Sequence, residues 1–167
     1  MSRKLLERVY SELHEEAYRW ARQCVNYSDE QAKDVLQTVY LKILNGKARF
    51  NERSSLKTWL FSVIRFTAAD SFRGAAHQVS LEAAGEQGEE PELAPLDQDF
   101  YISALRQLSQ NQSQVLLLVF YHNYTLETVA EVMGLSIGTV RTHYDRGKKK
   151  LRQVLEKEKN TTYDYKG

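Results

Sequence analysis

The feature that most limits how this chain folds is a central stretch, residues 76–99, where the apolar period seen on either side stops. It carries seven Asp or Glu, no Lys or Arg and no aromatic residue. Together with Gly74 it holds both prolines and three of the eight glycines. Such a composition buries too little apolar surface to fold by itself. Residues 1–75 carry 13 Lys and Arg against 9 Asp and Glu, and residues 100–167 carry 10 against 6. The formal net charge of +1 therefore conceals blocks of +4, −7 and +4. A chain of 167 residues with 42% hydrophobic content has enough material for one core or two small ones. It reads as two domains, 1–75 and 100–158, joined by an acidic linker, 76–99, and followed by a disordered tail, 159–167. Basic blocks suit a polyanionic partner, although plain solvated helix surfaces give the same charge count.

Both blocks carry helical periods. In the first, Leu6, Val9, Leu13, Ala17, Trp20 and Cys24 recur at three- to four-residue steps, the mark of an amphipathic helix. Ser28 with Gln31 is a capping-box pair opening a second helix that buries Ala32, Val35, Leu36, Val39 and Ile43, and Gly46 ends it. After a polar stretch, Ser54 or Ser55 caps a third helix through Leu56, Trp59, Leu60, Val63, Ile64 and Phe72. The second block opens with a helix near Phe100–Leu108. Ser109 with Gln112 is another capping box, followed by Val115, Leu116, Leu118 and Val119. Strand signals are absent, so the expected fold is all-α.

The sharpest local pattern is TLETVAEVMGLSIGTVRTHYDRGKKKLRQVL. Thr125 caps a short helix burying Leu126, Val129, Ala130 and Met133. Gly134 breaks it, because a helix end commonly takes a left-handed backbone conformation. Ser136 caps the next helix, whose inner face is marked by Ile137, Val140, Tyr144 and Leu151. Two helices joined this tightly form a helix-turn-helix, whose second member enters a DNA major groove. At about 100° per residue from Val140, the residues Thr142, Asp145, Arg146 and Lys149 point outward, with Arg141 on the flank and Thr139 at the start of the same surface. Arg matches the two major-groove acceptors of guanine, and Thr offers a hydroxyl or a methyl contact. Lys148, Lys149, Lys150 and Arg152 suit phosphates, which add affinity without sequence information. Asp145 on such a face either accepts from a cytosine amino group or orients a neighbouring Arg.

Other classes of function find little support. There is no phosphate-cradling glycine loop, no H-E-x-x-H, and no nucleophile with an evident base. His14, His77, His122 and His143 are scattered without ligand spacing, so neither a metal site nor a cofactor is expected. The single cysteine, Cys24, excludes an internal disulfide and reads as a packed thiol, which suits a reducing cytoplasm. No run reaches the roughly 18 apolar residues of a membrane span, and the N-terminus becomes charged too soon for a signal peptide.

A helix-turn-helix alone does not separate a regulator from an initiation factor. The first block does. Its runs DEQAKDVLQTVYLKIL and FNERSSLKTWLFSVIRFTAADSFR resemble the conserved domain of extracytoplasmic-function (ECF) sigma factors of bacterial RNA polymerase, of the sigma-70 family. The likeness lies in an acidic-x-x-Gln motif, here Asp34 and Gln37, then a polar loop, then Ser55-Leu56-Lys57-Thr58-Trp59-Leu60. The second block, with LSQNQSQVLLLVFY ahead of the helix-turn-helix, is similar to that family's promoter-reading domain. The resemblance covers nearly the whole chain outside the linker and the last residues.

The resemblance implies that Asp34, Gln37, Thr38, Leu41 and Lys42 dock on coiled-coil clamp helices of core RNA polymerase. It implies that residues 47–73 open the −10 element of the promoter. A polar loop of Arg49, Phe50, Asn51, Glu52, Arg53 and Ser54 offers hydrogen bonds to base edges and a ring for stacking. Arg65 and Arg73 would hold the displaced strand, and Trp59 is expected in the core. The second domain would read the −35 element, and the acidic linker would run along polymerase near the RNA exit path. The resemblance further implies promoter DNA as ligand, an anti-sigma factor as partner, a monomer when free, and no catalysis by the chain itself. Thr38 stands where the family commonly has Glu, Phe66 where it often has Asn, and Gly74-Ala75-Ala76 where an Arg-rich run often follows. The competing reading is a stand-alone helix-turn-helix regulator that binds duplex DNA as a dimer.

Overall fold

The computed structural model describes residues 2–78 and 96–165, with side chains placed for 2–72 and 100–157. The chain divides into two compact units, Met1–Pro91 and Glu92–Gly167. All regular elements among the described residues are helical.

The first unit is built from α1 (Ser2–Cys24), α2 (Asp29–Leu44) and α3 (Leu56–Gln78). Their apolar stripes meet in a core of Val9, Ala17, Trp20 and Cys24 from α1, Val35, Val39 and Ile43 from α2, and Leu60, Phe61 and Ile64 from α3. Trp20 lies at its centre, fully buried. Its ring stacks on Phe61 with centroids 5.6 Å apart and planes 5° from parallel. Its indole Nε1 donates to the Phe61 carbonyl at 3.0 Å, so the large apolar ring enters the core without stranding its polar atom. Cys24 is buried, as its helical position predicts.

Local rules place the element ends. Ser28 Oγ accepts the Gln31 N–H at 3.2 Å and starts α2. Of the two serines open to cap α3, Ser55 does so, accepting the Thr58 N–H at 3.1 Å. Gly46, at φ +79°, follows the end of α2. The turn between α1 and α2 is less ordinary, because Asn26 and Tyr27 both take positive φ, 55° and 65°. For Tyr this is a strained conformation. Neighbouring contacts over-determine it: Tyr27 N–H donates to the Arg22 carbonyl at 2.7 Å, and the Arg22 guanidinium lies over the Tyr27 ring. Asp29 then accepts from Tyr18 Oη at 2.7 Å and pairs ionically with the Arg22 guanidinium, whose Nε lies 2.9 Å from the carboxylate.

The second unit comprises α4 (Leu96–Arg106), α5 (Gln110–Leu116), a π-helical turn (Leu117–Tyr121), α6 (Leu126–Met133) and α7 (Ile137–Tyr165). Ser109 and Gln112 form a full capping box, each side chain bonding the other's backbone N–H. The π turn inserts an extra residue, which leaves Phe120 and Tyr121 exposed and turns His122 inward. Thr125 caps α6, and Gly134 ends it at φ 65°, ψ 33°, the left-handed conformation expected there.

Two boundaries differ from the sequence reading. Residues 76–78 and 96–99 of the expected linker belong to α3 and α4. Ala75 and Ala76 are strong helix formers, and Asp97 and Asp99 favour a helix N-terminus. The rest of the linker lies outside the described residues. At the other end, α7 continues to Tyr165, through residues read as a disordered tail. Glu156, Lys157, Glu158 and Lys159 contain no breaker and carry the helix onward.

Candidate nucleic-acid and polymerase interfaces

In the second unit one helix carries the surface. Ser136 Oγ accepts the Thr139 N–H at 3.2 Å, which starts α7, and donates to Thr139 Oγ1 at 2.8 Å, leaving the Thr139 O–H to donate. The inner side of α7 is Val140, Gly147 and Val154, at seven-residue steps. Gly147 is the close approach. A Cβ there would stand 3.3 Å from Gln112 Cβ and 3.4 Å from Leu116 Cδ1, so glycine lets α7 lie against α5. With this side fixed, Arg141, Thr142, Asp145, Arg146 and Lys149 are all exposed. Thr142 Oγ1 donates to the Gly138 carbonyl at 3.0 Å, leaving a lone pair and a methyl outward. Lys148 Nζ sits 4.8 Å from the centroid of Tyr144, itself stacked on Phe120. The sequence reading took Tyr144 and Leu151 as inner positions; both are half-buried.

On a separate side of this unit, Phe100, Tyr101, Phe120, Leu151 and Leu155 line a groove of about 580 Å³, with Lys148, Arg152 and Glu156 on its rim. Tyr101 and Phe120 are more than half exposed.

In the first unit, Asp34, Gln37, Thr38 and Leu41 form one exposed stripe of α2. Thr38 Oγ1 donates to the Asp34 carbonyl at 3.0 Å. Lys42 does not share the stripe fully. Its Nζ donates to Thr67 Oγ1 at 3.0 Å, so it is drawn toward α3 and is half-buried. Leu44 extends the stripe by a turn and is 49% exposed. The sequence reading missed it, although a leucine off the buried period of Val35, Val39 and Ile43 is the available signal.

The loop between α2 and α3 places Arg49, Asn51, Glu52 and Arg53 outward, with Ser54 half-buried. Arg49 Nε donates to the Gly46 carbonyl at 3.2 Å, and Glu52 takes φ 59°. Trp59 corrects an expectation. It is only half-buried, and its ring packs on Phe50 at 5.4 Å. The fully buried tryptophan of this unit is Trp20, stacked on Phe61. Arg65 is half-buried near Cys24. Burial lowers its pKa, with the Cys24 thiol acting the other way. The same burial holds the Cys24 thiol well above its usual range, so it stays protonated and inert. Arg73 lies on α3, but its side chain is outside those described.

These two surfaces coincide with two matches. The sequence fits the family description "Sigma-70 region 2" over residues 9–78 and "Sigma-70, region 4" over residues 104–153. It is 31% identical over 160 residues to the ECF RNA polymerase sigma factor SigX of Bacillus subtilis (strain 168), covering 89% of this chain and 82% of that one. The chain is an ECF sigma factor of the sigma-70 family. It is also 27% identical over 165 residues to the RNA polymerase sigma factor YlaC of the same organism, covering 93% and 94%. The fold matches the sigma factor RpoE solved with the anti-sigma factor NepR from Bartonella quintana, with a TM-score of 0.75, 21% identity, and 90% and 96% of the chains covered. It also matches CnrH solved with the cytosolic domain of CnrY, with a TM-score of 0.62, 19% identity, and 93% and 94% covered. A stand-alone regulator does not account for the match over residues 9–78. The two regions divide at the acidic stretch, and the loop carrying Phe50 and the helix carrying Arg146 fall in regions 2 and 4 respectively. Among the described residues, no helix is long and apolar enough to cross a membrane.

Proposed function

We propose that this sigma factor binds core RNA polymerase through the exposed stripe of α2, reads the −35 element with α7, and opens the −10 element with residues 47–73. The observation that carries the proposal is the common outward display of Arg141, Thr142, Asp145, Arg146 and Lys149 on the helix after Gly134, in a chain whose other unit belongs to region 2. Arg146 and Arg141 carry the guanidinium forks that match guanine, and Lys149 neutralises phosphate. In the first unit, Arg49, Asn51, Arg53 and Ser54 supply hydrogen bonds and Phe50 a ring to an unstacked base, while Arg65 and Arg73 lie along the strand's path on α3. Leu41 and Leu44 supply the apolar centre of the polymerase contact, and Asp34, Gln37 and Thr38 its polar rim. Nucleotide chemistry stays with polymerase, and the protein works in the cytoplasm, where polymerase is. An anti-sigma factor, as in the RpoE and CnrH complexes, is the partner that would cover the aromatic groove of the second unit.

The test is transcription in vitro with bacterial core polymerase and the pure chain on a promoter library. Enrichment of templates sharing two elements at one spacing supports the proposal. A chain that dimerises in size-exclusion chromatography, binds duplex DNA alone and ignores core polymerase would sink it in favour of a regulator.

A further inference from the structure

Gly138 is a glycine that the fold does not call for. Gly134 supplies a left-handed turn, and Gly147 lets α7 lie against α5. Gly138 does neither: it is exposed in the first turn of α7, and a Cβ there would meet no atom within 4 Å. Glycine in a helix is less stable than alanine, so folding alone favours alanine at this place. Its direction on the helix is the informative part. Val140 is fully buried, and at about 100° per residue positions 138 and 142 each lie about 160° from it, one on either side of the line opposite the core. They stand one turn apart, about 6 Å along the axis. The N-terminal residues of such a helix are the ones that meet base edges.

Thr142 limits what this spot can bind. Its hydroxyl has one hydrogen, and Oγ1 donates it to the Gly138 carbonyl at 3.0 Å. The acceptor atoms of a base edge therefore find no free donor here, and the Thr142 methyl is left outward. Beside it Gly138 presents a bare Cα. The two make a small apolar surface at the centre of the outward face of α7. In the major groove the apolar group on a base is the C5-methyl of thymine. Asp145 is exposed and lies in line with Gly138, two turns further on, where its carboxylate repels the two acceptors of guanine. We infer that Gly138 and Thr142 form a subsite for the C5-methyl of one thymine in the −35 element. The missing Cβ lets that methyl reach the helix backbone, and the tether to Gly138 keeps the Thr142 methyl turned toward it. Thr142 Oγ1 keeps a lone pair able to accept from an adenine or cytosine amino group, which is the competing contact. The inference rests on the −35 role proposed above for α7.

The test uses the full chain assembled with core polymerase on a duplex promoter obtained from the library. Deoxyuridine replaces each thymidine of the −35 element in turn, on both strands; it pairs as thymidine does and lacks only the methyl. One position is expected to lose affinity about 4-fold, the worth of one buried methyl group. Thr142→Ser, which keeps the hydroxyl and loses the methyl, should bind thymine and uracil equally at that position. Thr142→Val, which loses the hydroxyl and keeps a methyl, should still prefer thymine. Gly138→Ala should raise the urea midpoint of the second unit and yet weaken binding to the thymidine promoter roughly 5-fold or more. A parent chain that accepts uracil at every position, or selects a −35 element without thymine on either strand, overturns the subsite and leaves the −35 role standing. So does a thymine preference that survives Thr142→Ser. Loss of that preference in Thr142→Val assigns the reading to the hydroxyl and overturns the methyl contact. A Gly138→Ala chain that binds like the parent overturns the part given to Gly138. Failure of the parent chain to assemble and initiate overturns the underlying proposal, and this inference with it.

Discussion

In the second unit the proposed DNA surface is one face of one helix, whereas in the first it is assembled from a loop, a helix start and the flank of α3. The consequence is a difference in what each surface tolerates. On α7 the outward residues are displayed by helical geometry, while Val140, Gly147 and Val154 on the inner side hold the helix against the unit. Any outward side chain can change without disturbing its neighbours. In the first unit, Phe50 depends on Trp59, Lys42 on Thr67, and the start of α3 on the Lys57–Glu16 ion pair at 2.8 Å. Reading an intact groove needs independent side chains; holding an unstacked base needs a shaped surface whose parts support one another.

Substitutions that separate folding from display break this comparison most strongly. Trp20→Ala removes the largest buried side chain and the hydrogen bond to Phe61, and should cost about 3–5 kcal/mol. The first unit should then unfold at far lower urea, while the second keeps its transition and its −35 duplex binding. Loss of both transitions together would show that the units do not fold separately. Next in size, Gly147→Val forces a branched side chain against Gln112 and Leu116 and should cost about 1–3 kcal/mol, read as a lower urea midpoint of the second unit. Promoter binding should fall on every sequence, because the whole helix is displaced.

Arg146→Ala tests the independence of outward residues. It should cost about 1–3 kcal/mol at one promoter position and leave urea unfolding unchanged. Lys149→Ala should weaken binding to all sequences slightly and flatten the salt dependence. Equal losses on every promoter after Arg146→Ala would contradict base readout.

The smallest effect concerns the aromatic cluster of the first unit. Tyr40 Oη bonds His14 Nδ1 at 2.7 Å, and burial pushes the Tyr40 pKa up to about 12, with Tyr10 nearby adding to it. The unfolded chain loses this proton near pH 10 and the folded chain holds it to about 12. The contribution is thus complete below pH 10 and is lost as pH rises from 10 to 12. Thermal unfolding of the parent should fall faster over that interval than that of Tyr40→Phe. Parallel curves would remove Tyr40 as the cause.

How much was legible followed from range. Ser28, Ser109, Thr125 and Ser136 cap the helices they precede, and Gly134 ends α6, because caps and left-handed turns depend on residues three or four apart. The all-helical division into two units, and the outward set on α7, follow from a period that one helix imposes on its own residues. Trp59 shows where that reasoning stops. The period marks it as apolar-facing, as it does Trp20, yet packing leaves Trp20 fully buried and Trp59 half-buried against Phe50. Lys42 is likewise polar on an outward helix position, but a hydroxyl on α3 draws it in. Gly147 shows its role only where α5 lies against it. Local chemistry and periodicity thus determined which helices form and which sides face out. Contacts between residues far apart in the chain decided which apolar ring is core, which is surface, and which side chains reach a partner.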